Sequence, residues 1–179
     1  EDLVKKTLVT LSGTAFNKIR MTVMPKNYDV YINNEPPFYP FEGSKEKGWD
    51  FSRPNPVFFR NFEVKILELQ KLGIEADIII FHPYDFGKWN FDKMNTEQAV
   101  FYLRYLIARI AANRNVWWSM ANEYDIMGKS DEEWDMYFRT IQTYDPYRHL
   151  CSIHNGMKWY NYAKPWITHL SIQTPYLQD

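Results

Sequence analysis

Residues 73–85 read Gly-Ile-Glu-Ala-Asp-Ile-Ile-Ile-Phe-His-Pro-Tyr-Asp. The run from Ile74 to Phe81 is strand-length and nearly continuous in apolar character, as in a parallel strand covered on both faces. Gly73 stands just before it, where a helix should end. His82, Pro83, Tyr84 and Asp85 stand just after it. The order is helix, glycine, buried strand, polar tip, and the rest of the chain repeats it.

Upstream, Asn55-Pro56 supplies an N-cap and a proline at the first helical position. Phe59, Phe62, Ile66 and Leu69 then recur at helical spacing. Downstream, Asn95 and Gln98 form a capping box ahead of Val100, Leu103, Ile107 and Ile110. A strand from Val116 to Ala121 runs into Asn122-Glu123. Ser130 and Glu133 open a helix carrying Trp134, Tyr137, Phe138 and Ile141. Shorter strands follow, Leu150–Ile153 into His154-Asn155 and His169–Ile172 into Gln173. At the front, Leu3, Val4, Leu8 and Leu11 mark a helix over Glu1–Leu11, and Lys18–Val23 reads as a strand. Between Met24 and Asn55 the spacing predicts one long aromatic-rich loop, a length that points to function rather than mere connection.

Strict alternation of helix and strand predicts a parallel α/β fold, taken as one domain over 1–179. No glycine-rich phosphate loop follows any strand, which weakens an open nucleotide-binding sheet. Polar residues directly after each apolar run suit a barrel, whose strand ends converge on one mouth. The chain has 179 residues, short of the roughly 250 of a complete eight-stranded (β/α) barrel.

Composition narrows the function. Twenty-one basic residues face twenty-two acidic ones, so bulk electrostatics offer nothing to nucleic acid or a membrane surface. No apolar run approaches the roughly 18 residues of a membrane span. The lone Cys151 leaves no internal disulfide and no cysteine metal cluster. Aromatic residues make up 18%, with seven Trp and thirteen Tyr. That is more than a core of this size needs, and aromatic faces suit the C–H faces of sugar rings.

The polar residues at the strand ends are the candidates for chemistry: His82, Asp85, Asn122, Glu123, His154, Asn155 and Gln173. Most also read as ordinary turn residues. His82 precedes a proline, Asp85 suits a cap, and His154-Asn155 precedes Gly156. Glu123 stands apart, because it follows a strand that should be buried and no charge partner lies beside it. An unpaired carboxylate there costs free energy.

These stretches carry a resemblance. Asn34-Glu35-Pro36-Pro37, Gly73 to Asp77, Phe81-His82-Pro83-Tyr84-Asp85, Asn115 to Asp125 and Ser152-Ile153-His154-Asn155 together resemble the apiosidase-like group and its neighbouring domain families. That group belongs to the clan of retaining glycoside hydrolases with (β/α)8 barrels and an Asn-Glu motif. The resemblance implies a glycosidase acting on plant or microbial polysaccharide-derived glycosides, with a carbohydrate as its partner and no cofactor or metal. It makes Glu123 the general acid/base on barrel strand four and puts Asn122 on the sugar 2-hydroxyl. Barrel strands two to six map onto Lys18–Val23, Ile74–Phe81, Val116–Ala121, Leu150–Ile153 and His169–Ile172. Strands one, seven and eight are missing from the 179 residues, so further polypeptide is expected to complete the barrel and to bring the nucleophile on strand seven. His82, Asp85, His154, Asn155 and Gln173 are then expected on other hydroxyls. Trp89, Trp159 and the aromatics of the Tyr28–Phe51 loop are expected against sugar faces. The compartment stays open: periplasmic or secreted for a bacterial polysaccharide degrader, cytoplasmic otherwise.

Two other readings compete. A non-catalytic carbohydrate-binding module, or an inactive barrel fragment, keeps the aromatic cleft without turnover. A metal hydrolase would use His82, His154 and His169, but their spacing matches no zinc motif and His169 should sit at the wrong end of its strand.

Overall fold

A computed structural model describes residues 2–27 and 35–174. Four strands, β1 (Lys18–Thr22), β4 (Glu75–Phe81), β5 (Val116–Ala121) and β6 (Cys151–Ser152), form one sheet in that spatial order, all parallel. A single parallel bridge, His154 to Ser171, continues the progression. The predicted strand over His169–Ile172 therefore contracts to one bridge, and Leu150–Ile153 to two residues. The sheet is open. Helices α2 (Pro56–Lys71), α3 (Thr96–Ile110) and α4 (Asp131–Tyr144) make the crossovers. Helix α1 (Asp2–Ser12) precedes β1. Strands ordered as in the chain, with a helix between each pair, form part of a (β/α) barrel wall.

The local signals hold where they were expected. Asn55 accepts from the Val57 N–H and caps α2. At the far end Gly73 takes φ 72°, and the Ile74 N–H returns to the Leu69 carbonyl at 2.9 Å. Both predicted capping boxes form, Asn95 with Gln98 and Ser130 with Glu133. The buried faces of α2, α3 and α4 pack on the strands, and Ala76 through Phe81 are buried without a break.

The long segment before α2 is not one loop. It contains an antiparallel hairpin, β2 (Phe41–Ser44) and β3 (Gly48–Pro54), with a register shift at Phe41/Glu42. The turn forces a close approach: a Cβ on Gly43, at φ 123°, would lie 2.3 Å from the Gly48 carbonyl oxygen. Phe41 alone of the hairpin is fully buried, edge-on to Phe51 at 5.1 Å and to Tyr102 at 5.9 Å. Too little apolar alternation remained for the strands to be read in the sequence.

Charges sit inside the wall. Asp77 is buried in β4, and its carboxylate lies 3.3 Å from Arg20 Nε and 3.6 Å from Lys18 Nζ on β1. The β1–β4 register sets Arg20 directly opposite Asp77, and Arg20 also donates to Ser119 Oγ at 3.0 Å. A buried carboxylate is tolerated there because two cations share it.

Candidate active site

The C-terminal ends of the strands gather on one side, joined by backbone bonds. The Val23 N–H donates to the Ile79 carbonyl, Asn122 to Phe81, His154 to Ala121 and Tyr124 to His154. Glu123 follows β5 with φ 49° and ψ 52°, the left-handed conformation. For a residue with a Cβ this costs about 1–2 kcal/mol. It also leads into a single 3-10 turn, Tyr124–Ile126.

Glu123 is partly exposed. The Gln173 amide nitrogen lies 3.5 Å from one carboxylate oxygen. The Tyr84 hydroxyl accepts from the Nδ2 of Asn122, the residue just before Glu123. Burial pushes the Tyr84 phenol up to about 12; the Asn122 bond opposes that rise, and the negative charge of Glu123 adds to it. Lys26 lies over the Tyr84 ring, 4.9 Å from its centroid. Its ammonium is held below the usual lysine range by burial and by Arg20, against the pull of Glu123. His154 is likewise lowered by burial and Arg20, and Gln173 and Glu123 oppose this.

The other expected residues divide. His154 Nδ1 lies 3.0 Å from Ser171 Oγ, and Nε2 lies 3.4 Å from Gln173 Oε1. Asn155 is buried, and its amide pairs with both the N–H and the carbonyl of Gln173, at 3.0 and 2.9 Å. It positions Gln173 and is not exposed to a ligand. His82 is buried with both ring nitrogens on backbone: Nε2 donates to the Met24 carbonyl at 3.0 Å, and Nδ1 accepts from the Tyr84 N–H at 3.2 Å. Burial lowers its imidazole to about 4, so the ring is neutral. The Asp85 carboxylate is 1% exposed and accepts from the Trp89 and Phe91 N–H groups at 2.6 and 2.7 Å. The space left beside His82 and Asp85 is about 10 Å³, one water's worth and no room for a sugar.

Trp89 departs from expectation. It is 1% exposed, its indole N–H donates to Glu35 at 3.1 Å, and its ring stacks on Phe91. Its faces are used by protein. Trp159, by contrast, is 61% exposed. In the Tyr28–Phe51 loop, Tyr28 and Tyr31 lie outside the described residues, as does Asn34. Trp49 turns inward and donates to the Trp89 carbonyl at 2.8 Å. The three histidines of the metal reading do not converge. His169 sits against the Trp117 ring, 5.2 Å between centroids, near the N-terminal end of β5. Among the described residues no group of three or more His, Cys, Asp or Glu is placed to hold a metal.

Three residues near the mouth were not singled out from the sequence. Tyr84 holds Asn122, and Lys26 covers the Tyr84 ring. Asp125 accepts from the N–H groups of Gly156, Met157 and Lys158 at 2.6, 2.8 and 2.8 Å, locking the loop after β6 to the loop after β5. Burial pushes its carboxyl up, but these backbone bonds outweigh that and leave it low. A Cβ on Gly156 would lie 3.2 Å from Asp125 Oδ1. The Asp125–Gly156 pairing had a faint sequence signal in the glycine; Tyr84 had none beyond its place after a strand.

A parallel wall whose polar strand ends gather at the C-terminal mouth defines a class, the (β/α) barrels, whose active sites lie on that face. The sequence model of the apiosidase-like catalytic domain matches residues 4–176, and the chain belongs to that family. It is similar to a Bacteroides vulgatus protein described as a candidate glycoside hydrolase, at 47% identity and a TM-score of 0.91 over 97% of this chain and 36% of that one. A family 5 glycoside hydrolase from the same species shares the fold at 18% identity and a TM-score of 0.64, covering 93% and 35%. A family 5 enzyme from Streptomyces cattleya, in complex with Manβ1-4GlcNAc, shares it at 12% and 0.55, covering 86% and 39%. The chain thus spans little over a third of these structures. No curated protein matches it.

Proposed function

We propose that this chain forms the acid/base side of a retaining glycosidase active site, with Glu123 as the general acid/base and a carbohydrate of plant or microbial polysaccharide origin as substrate. The observation that carries this reading is Glu123 itself: a partly exposed carboxylate on left-handed backbone at the strand-end mouth, accepting no backbone N–H among the described residues, with the Gln173 amide 3.5 Å away and its neighbour Asn122 held on Tyr84. Phe86 and Asn90 of the β4 loop share this left-handed φ, but of the three Glu123 alone carries an ionisable side chain, and such strain clusters at functional positions.

In the reaction, a carboxylate from polypeptide outside these residues attacks the anomeric carbon. The bond to the leaving oxygen breaks as Glu123 delivers its proton to that oxygen. Glu123, now a carboxylate, takes a proton from water, whose oxygen displaces the nucleophile and retains configuration. Asn122, adjacent to Glu123 and fixed by Tyr84, binds the 2-hydroxyl. His154 and Gln173 are placed for further hydroxyls, and Trp159 offers an open aromatic face.

The test is Glu123→Gln in the full-length protein. Glycosylation by substrates with poor leaving groups slows by roughly 10²–10⁴-fold, the usual share of general acid catalysis. Dinitrophenyl glycosides, which need little protonation, slow far less in that step. Azide, which needs no base, restores turnover and yields a glycosyl azide of the substrate's configuration. Parent rates on both substrate types overturn the assignment, and a parent protein that binds sugars without turnover favours the binding-module reading.

A further inference from the structure

We propose that Asp125 is a positioning residue for Glu123: its carboxylate draws three successive N–H groups of the loop after β6 together and so holds the left-handed turn on which Glu123 stands. This rests on the glycosidase reading above. Asp125 Oδ1 accepts from the Gly156 N–H at 2.6 Å, and Oδ2 accepts from Met157 and Lys158 at 2.8 Å each. Consecutive N–H groups converging on an anion form a nest. Here the anion is a side chain two residues beyond the proposed acid/base.

The turn needs such a tie. Before Glu123 the sheet holds the chain, with the Asn122 N–H on the Phe81 carbonyl at 3.0 Å. At Glu123 the backbone leaves the strand at φ 49° and ψ 52°, a conformation that a residue with a Cβ keeps only where its surroundings impose it. Beyond it, the Tyr124 N–H reaches the His154 carbonyl and the Ile126 N–H returns to the Glu123 carbonyl, both at 3.1 Å. The buried Tyr124 ring packs edge-on to Trp134 and Tyr160. The Asp125 carboxylate adds three bonds to the next loop, so the 3-10 turn is fixed from outside its own segment. Bonds from N–H groups to an ionised carboxylate are short and strong.

The facing loop is shaped for this carboxylate. A Cβ on Gly156 would lie 3.2 Å from Asp125 Oδ1 and 3.3 Å from Ile126 Cδ1, so the close approach falls at a glycine. The Lys158 ammonium pairs instead with Asp131 at 3.2 Å, and Lys158 serves the nest through its backbone. Burial pushes the Asp125 carboxyl up, the three N–H groups outweigh that, and the anion persists. A group that delivers a proton in one step and takes one in the next must stay over the same oxygen in both, and a misplacement of about 1 Å is costly. Holding the turn is therefore a contribution to the reaction as well as to the loop.

In the full-length enzyme, Asp125→Ala releases the three N–H groups and leaves Glu123 in the chain. The expected result is a roughly tenfold loss of kcat/KM on glycosides with poor leaving groups, with a much smaller loss on dinitrophenyl glycosides, whose first step needs little protonation. The ratio of the two values cancels any loss of folded enzyme. A purely structural role lowers both substrate types alike and leaves the ratio at its parent value, and that outcome overturns the proposal. Should Asp125→Ala fail to fold, Asp125→Asn, which keeps one accepting oxygen, gives a smaller fall in the same ratio, and an unchanged ratio there overturns the proposal. Glu123→Gln at parent rates removes the glycosidase reading altogether; an impaired Glu123→Gln beside a parent ratio in the Asp125 variant removes only the role of Asp125.

Discussion

The loops leaving β4 and β5 start side by side, yet they treat their carboxylates in opposite ways. Asp85, four residues beyond Phe81, is buried and accepts two backbone N–H groups of its own loop. Glu123, two residues beyond Ala121, accepts none among the described residues and has the Gln173 amide 3.5 Å away. In the β5 loop the structural task falls to Asp125, which takes three backbone N–H groups from the neighbouring loop. A carboxylate consumed by backbone donors holds a loop, while one left to side chains is available for chemistry. Only the path of the chain after each residue separates the two.

Removing Asp85 should give the larger stability effect. Asp85→Ala orphans the buried N–H groups of Trp89 and Phe91, at about 1–3 kcal/mol each. Thermal unfolding of the full-length protein should show Asp85→Ala well below the parent, with Asp85→Asn between them because one amide oxygen still accepts. Equal stability of Asp85→Ala and the parent would break the comparison.

His82 belongs to the same loop and gives it a pH dependence. Its imidazole titrates near 4 in the fold against 6.5 when free, since burial disfavours the cation. Below pH 6.5 the unfolded chain therefore binds a proton that the folded chain refuses. The contribution is complete above pH 6.5 and is lost as pH falls toward 4, by up to about 3 kcal/mol. His82→Gln should flatten the stability curve between those limits, and an unchanged slope would place the titration elsewhere.

The sequence made much of this legible, and unevenly. The caps at Asn55, Asn95 and Ser130, the stop at Gly73 and the run into β4 are local chemistry, and each appeared where expected. The mouth was also readable as a set of polar residues after strands. Which of them face a ligand was not, because that depends on contacts across the chain: His82 with Met24, Asn155 with Gln173, Trp89 with Glu35. Tyr84 was hidden for the same reason, since its partners lie on the next strand. The hairpin was missed because only Phe41 of its eleven strand residues is fully buried, so its periodicity carried little signal. Asp77 inside an apolar run was a stronger hint, satisfied by Arg20 only through the β1–β4 register.

The smallest effect sharpens the contrast most. Glu123 holds a left-handed backbone, whereas Asp85 is absent from the positive-φ positions. Glycine adopts that conformation without the Cβ penalty, although it loses more backbone entropy on folding. Glu123→Gly should therefore be more stable than Glu123→Ala by about 1 kcal/mol, a reversal of the usual order of these residues. At position 85, where no such strain exists, Asp85→Gly should be no more stable than Asp85→Ala. Both Glu123 variants lose turnover of unactivated glycosides, so the stability difference between them is read without any difference in chemistry. Denaturant titration of the four variants in the full-length protein measures both differences. If Ala exceeds Gly at position 123 as it does elsewhere, the backbone there carries no strain, and availability of the side chain alone distinguishes the two loops.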